Sequence, residues 1–198
     1  MGRLLPFLIL LLWGSSALAW EPPAETRLAL AKGRAHIEVR PDPGGASGRI
    51  AAAVEISARP EVVWATLIDC DLAPRMAPNL KSCTITGRDP EGRWDVREQI
   101  ARPGLLPPFR TLVRSDFDPP RRLRFHRTGG DLKVLEGEWR LTPLEGGRRT
   151  LVIYESRASS PYPVPAAMAR LVLRRDVAAA LSALTRESLA RTDPRSTP

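Results

Sequence analysis

Few side chains in this 198-residue chain are of the types that do chemistry. The two cysteines, Cys70 and Cys83, lie close together in sequence. In an oxidising compartment an even count at short spacing suggests a disulfide; the alternative is two buried free thiols. A catalytic thiol has little support, because neither His36 nor His126 is near in sequence. The same histidines lie too far apart for a metal constellation, and there is no H-E-x-x-H and no cysteine pair at ligand spacing. No P-loop, no G-x-G-x-x-G after a strand and no Ser–His–Asp set occurs. No catalytic residue, metal or cofactor is therefore predicted. Glu98 is the acidic group of most interest. It falls on the Trp94/Val96/Ile100 side of its strand, where a carboxylate is costly unless paired or wet. There it would orient a polar head group, act as an acid/base with raised pKa, or simply reach solvent at a strand end.

Which compartment these groups work in is read from the first 19 residues, MGRLLPFLILLLWGSSALA. Arg3 supplies a positive n-region, residues 4–13 a short apolar core, and Ala17-Leu18-Ala19 a small-residue cleavage site. The run is shorter than the about 20 apolar residues a membrane span takes. The expectation is an exported, periplasmic or secreted protein beginning at Trp20; an uncleaved N-terminal anchor is the alternative. Cleavage would leave 179 residues, enough for one domain with a core, and 29 basic against 22 acidic residues, a net charge of +7. Only Lys32, Lys81 and Lys133 are lysines; the other 27 cations are arginines, which favour planar anionic partners. A GC-rich coding bias accounts for most of that excess. Nucleic acid is not a predicted partner, since no zinc, basic-helix or RNA-binding aromatic motif is present.

The elements that must position these groups follow a single pattern. Residues 20–34 read as a loosely packed linker and 191–198 as a disordered tail. Residues 36–40 and 49–57 read as strands joined by PDPGGASG. A helix over 60–69 opens on Pro60 and carries Val62, Val63, Trp64, Leu67 and Ile68. A second short helix covers 71–77. Six strands follow at 81–88, 92–101, 109–117, 121–127, 133–142 and 148–157, separated by turn-rich breaks. Residues 164–191 read as one long helix with Leu173, Val177, Ala180, Leu181 and Leu184 at helical spacing. Strands grouped beside helices predict an α+β fold. Alternation within the meander places apolar residues on one face, which the long helix alone is able to cover.

This order resembles the START-like (SRPBCC) superfamily of polyketide cyclases and lipid-transport proteins, and within it the coenzyme-Q-binding START-domain branch. The likeness is carried by ISARPEVVWATLIDCDLAPRMAPNLKSCTI, where Pro60, Val63, Trp64, Leu67, Asp69, Pro74 and Pro78 match the family layout. Gly137, Trp139 and Leu141, then Thr150, Val152 and Tyr154, resemble its paired late strands, and Cys83 stands where that branch often has a cysteine. Met76 replaces a common bulky aromatic, and Asp71-Leu72 stands where tyrosine is frequent. The resemblance covers residues 49–190. It implies a helix-grip fold: a curved antiparallel sheet wrapped around the long C-terminal helix, over a domain of residues 35–190, with a cavity between them.

Such a cavity would be lined by Trp94, Phe109, Val113, Phe125, Leu135, Trp139, Tyr154, Met168 and Leu171, with Met76 near its entrance and Glu98 as a polar group. The connections 102–108, 128–132 and 158–165 share one end of the meander. Leu105 and Leu106 there would form a cavity mouth, dock on a membrane, or fold back as core. The outer strand faces gather Arg93, Arg97, Arg110, Arg114, Arg122 and Arg124, a candidate surface for anionic membrane or an acidic partner. The leading expectation is a non-catalytic carrier of a hydrophobic small molecule or lipid. The alternatives are a cyclase/aromatase-like enzyme, needing Glu98, Tyr154 or an arginine together inside the cavity, and an interaction module using the arginine face. The oligomeric state is left open.

Overall fold

The computed structural model describes residues 20–163 and 165–192; the predicted leader and residues 193–198 of the predicted tail lie outside the described residues. Eight strands form one antiparallel sheet: β1 (His36–Arg40), β2 (Gly48–Ile56), β3 (Leu80–Arg88), β4 (Trp94–Ala101), β5 (Phe109–Asp118), β6 (Arg122–Gly130), β7 (Leu135–Leu144) and β8 (Arg149–Ala158). Their order across the sheet is β1-β2-β8-β7-β6-β5-β4-β3. Helices α2 (Pro60–Leu67) and α3 (Ala73–Met76) carry the chain from β2 across to β3 at the far edge. The sheet curves around α4 (Ala166–Thr192), the helix-grip architecture.

Local chemistry explains where these elements start and stop. Arg59, in extended conformation, precedes α2, and Pro60 fills the first helical position, where its missing N–H costs nothing. Beyond α2, the Asp69 carboxylate accepts the Asp71 and Leu72 N–H groups at 3.0 and 3.2 Å, which turns the chain into α3. Cys70 and Cys83 form a disulfide with Cα atoms 5.4 Å apart, fastening the α2–α3 segment to β3. On β2, the run of small residues answers close approach from both sides, and Ala52 and Ala53 are fully buried. Inside lies the main core of Ile50, Val54, Ile56, Val63, Trp64, Leu181 and Leu184.

Outside β2 lies a smaller cluster, and here the structure departs from the expectation of a loose linker. Helix α1 (Arg27–Ala31) inserts Leu30 against Ala53 and Ile153. Trp20 packs on the same cluster and stacks on His36, with ring centroids 6.1 Å apart. Arg149 donates to the Ala31 carbonyl at 2.8 Å. Ala53 and Ile153 make this part of the outer face apolar, and the segment after Trp20 shields it from water. At the other terminus α4 continues through Thr192, and Arg191 pairs with Asp69, so the first two residues of the predicted tail are helical.

Candidate functional site

A cavity of about 610 Å³ separates the sheet from the first half of α4. That size falls within the range of small-molecule sites. Its floor is an aromatic wall contributed by β6, β7 and β8. Tyr154 lies at the centre, its ring 4.3 Å from Trp139 and 6.1 Å, nearly parallel, from Phe125. Gly137 makes this arrangement possible. A Cβ there would lie 2.8 Å from the Phe125 ring and 2.1 Å from the Glu155 carbonyl oxygen, so only glycine lets the ring settle over β7. The roof is α4, through Met168, Ala169, Val172, Leu173 and Val177. One side is α3 and the turn after it, through Met76, Ala77 and Pro78, which the disulfide holds in place.

The mouth lies between the β4–β5 connection and the segment leading into α4. Pro103, Leu106, Phe109 and Tyr162 line it. The Tyr162 hydroxyl donates to the Pro107 carbonyl, and the Phe109 and Tyr162 rings meet edge to face at 6.2 Å. These contacts tie the two rims together.

The largely apolar interior carries one guanidinium and one carboxyl side chain, Arg97 and Asp176. Arg97, on β4, lines the cavity and is 7 % exposed; its partner Asp95 is 3 % exposed. Arg97 Nε donates to both Asp95 carboxylate oxygens at 3.0 Å, and Nη2 donates to Asp95 at 2.8 Å and to the Ile68 carbonyl at 2.8 Å. A buried charge is tolerated when it is paired and hydrogen-bonded in this way. Nη1 makes no hydrogen bond among the described residues, which leaves one charged N–H donor group for a guest in the cavity. Gln99, Ser115 and Asp176 add polar groups to the lining. Burial raises the pKa of the Asp176 carboxyl and of the Tyr154 phenol.

Met76, Phe109, Val113, Phe125, Leu135, Trp139, Tyr154 and Met168 all stand on the cavity wall, and Leu106 on its rim. Three nominated residues do not. Trp94 faces outward, with the Arg114 guanidinium 4.3 Å from its ring centroid. Glu98 also faces outward, paired with Arg110, so it is not a cavity group. Leu171 is 70 % exposed on α4, beside the mouth rather than inside it. The first two corrections share one cause. Cross-strand partners occupy the same face, and Arg97 pairs with the inward Val113 while Glu98 pairs with Leu112. The inner face of β4 is therefore Asp95, Arg97 and Gln99, the reverse of the expectation drawn from its apolar residues. Arg97 correspondingly leaves the outer arginine set. Among the described residues there is no grouping of His, Cys, Asp and Glu able to hold a metal.

An antiparallel sheet closed over a long helix, with a hollow between them, defines the helix-grip class. The sequence matches the family model for polyketide cyclase / dehydrase and lipid transport over residues 56–185. The chain belongs to that family. No curated protein matches it at a significant level. Among solved structures it is similar to a STAR-related lipid transfer protein from Xanthomonas axonopodis, at 14 % identity and TM-score 0.66 over 78 % of this chain and 93 % of that one. A START superfamily protein from Mycobacterium smegmatis superposes with TM-score 0.63 at 20 % identity, covering 73 % of this chain and 99 % of that one. The Zhui aromatase/cyclase from Streptomyces sp. R1128 does so with TM-score 0.62 at 18 % identity, covering 82 % and 100 %. At these identities the likeness is one of fold.

Proposed function

We propose that this protein is an exported, non-catalytic carrier of a hydrophobic small molecule or lipid bearing a hydrogen-bond-accepting head group. The observation that carries the reading is an apolar cavity of about 610 Å³ with the Arg97 guanidinium set in its wall. The α4 residues that line the space run from Met168 past the helix midpoint to Leu184, where the closed core begins, about 24 Å at 1.5 Å per residue, so an elongated guest suits it better than a compact one. Arg97 lies four residues in from the mouth end of β4, about 13 Å at strand spacing. A carbonyl or carboxylate placed there would point its apolar remainder toward the mouth. Of the groups the cyclase alternative calls for, Glu98 faces outward, whereas Tyr154 and Arg97 both line the cavity. The leader sequence and the Cys70–Cys83 bridge support export.

Native mass spectrometry of protein recovered from the cell envelope is expected to find a bound amphiphile, and N-terminal sequencing to find Trp20 first. A fluorescent long-chain fatty acid should enter the cavity of delipidated protein. Leu135→Trp, which fills the space, should weaken that uptake at least about tenfold. The neutral pair Asp95→Asn with Arg97→Gln should weaken the acid probe more than a hydrocarbon probe of equal length. Absence of both a co-purified ligand and probe uptake would overturn the carrier reading.

A further inference from the structure

The expected docking surface, the arginine-bearing outer face of the sheet, is interleaved with carboxylates that pair with its arginines. Arg110 pairs with Glu98, Arg114 with Asp116 at 2.9 Å, and Arg122 and Arg124 both approach Glu138 at 3.7 Å. The mouth end is built differently. Leu105, at the tip of the β4–β5 connection, is fully exposed, and Leu106 is 45 % exposed. Across the opening, Met168, Leu171 and Val172 stand at i, i+3 and i+4 on α4, 57 %, 70 % and 48 % exposed. Leu106, Met168 and Val172 line the same mouth, so the two groups form one apolar crown around it. A patch of this kind on a protein surface marks an interaction site.

Charge identifies what it fits. Arg102 on the β4–β5 connection, Lys133 on the β6–β7 connection, and Arg174 and Arg175 on α4 are exposed and have no salt-bridge partner among the described residues. Arg170, half-buried on the first turns of α4, also lacks one. The carboxylates at this end are paired, hydrogen-bonded or half-buried: Asp42 pairs with Arg157 and Arg49, Glu136 pairs with Arg157, Asp131 accepts the Arg110 N–H at 2.7 Å, and Asp176 is half-buried. Cations outnumber acids around the crown. Leucines that protrude past unpaired arginines match the two requirements of an interfacial membrane contact, apolar insertion and attraction to anionic head groups.

We propose that the mouth end docks on an anionic lipid bilayer, with Leu105, Leu106, Met168, Leu171 and Val172 in the head-group boundary and Arg102, Lys133, Arg174 and Arg175 on lipid phosphates. No helix among the described residues is long and apolar enough to span a membrane. Docking places the cavity opening against the bilayer. The crown and its cations are present whether or not the cavity is filled.

The test is co-sedimentation of the chain from Trp20 onward, which contains every described element of the fold, with vesicles of phosphatidylcholine alone or mixed equally with phosphatidylglycerol. Binding is expected to the mixed vesicles, weakened by high salt. Leu105→Asp with Leu171→Asp, neither of which lines the cavity, should lower it at least about tenfold, and Arg174→Glu with Arg175→Glu similarly. Arg122→Glu with Arg124→Glu, on the sheet face, should leave it within about twofold. Circular dichroism and fatty-acid uptake, unchanged in the leucine variant, would show that the fold and cavity survive. No binding to mixed vesicles, or equal binding by the leucine variant, would overturn the proposal. So would light scattering that shows a dimer broken by the same leucine substitutions, because the crown would then cover a second copy. Loss of fatty-acid uptake in the wild type with vesicle binding intact would sink the carrier reading and leave this one standing.

Discussion

The two halves of α4 face different interiors. In the C-terminal half, Leu181 and Leu184 are buried against Ile56, Val63 and Trp64 in a continuous core. Trp64 meets Phe117 edge to face at 5.9 Å, closing that end. In the N-terminal half, Met168 and Val172 overlook a hollow and remain half exposed. The sheet runs under both. What differs is α2, whose Val63 and Trp64 pack into the closed core while its last residue, Leu67, alone reaches the cavity. One short helix therefore decides where the fold is held together and where it is left open, and stability and binding are carried by different turns of the same α4.

The strongest way to break this contrast is paired truncation along α4. Leu181→Ala should destabilise by about 3–5 kcal/mol, through lost burial and the cavity left behind. Val172→Ala, four residues into the exposed stretch, should cost less than about 0.5 kcal/mol. Urea midpoints at constant slope measure both. Equal losses would mean that the open half is as tightly packed as the closed one. The disulfide sits between the two regimes. Replacing Cys70 and Cys83 by serine should cost about 3 kcal/mol in the chain-entropy account. It should also weaken fatty-acid uptake, because α3, freed from β3, no longer fixes Met76 and Pro78 as a wall. A stability loss without any change in uptake would assign the bridge to the closed half alone.

The same division separates what could be read from the chain and what could not. The meander and both helices of the crossover follow from turn chemistry and alternation. Pro60, the Asp69 turn and the Gly/Pro breaks carry local geometry that needs no tertiary partner. Phe109, Val113, Phe125 and Trp139 could be set inward because their strands alternate cleanly. On β4 the rule failed. Its outward residues, Trp94, Val96 and Ile100, are apolar, and its inward ones include an ion pair whose members neutralise each other. Hydropathy alone assigns that strand the wrong way round. The usable signal was in the hairpin: Ala101 opposite Phe109 puts Arg97 opposite Val113, and an inward Val113 brings Arg97 inward with it. Likewise, Leu30 and Trp20 looked like linker residues because the apolar patch they cover, Ala53 and Ile153, comes together only when β2 pairs with β8.

The open half has its own fastening, and it is ionic. Asp42, in the β1–β2 connection, accepts from the Arg157 guanidinium at 3.0 and 2.9 Å and from the Ala46 N–H at 2.9 Å, with Arg49 at 3.1 Å. Its side chain is buried. The connection it holds ends in Ser47, a cavity residue whose hydroxyl accepts the Ser160 N–H at 2.8 Å on the opposite rim. Hydrogen bonds from Arg157 first, and then from the Ala46 amide, lower the Asp42 pKa from 3.8 to about 2. A folded-state value below the unfolded one stabilises the fold in full above the unfolded pKa, and that stabilisation is lost as pH falls through the folded pKa. Asp42→Asn should therefore cost less than loss of the disulfide at neutral pH. The gap between wild type and variant should close between about pH 4 and pH 2. Leu181→Ala, acting through apolar contacts, should show a penalty that does not vary across the same window. A pH-independent Asp42→Asn penalty would mean that the carboxylate's charge does not hold the open rim, and that packing governs both ends of the molecule alike.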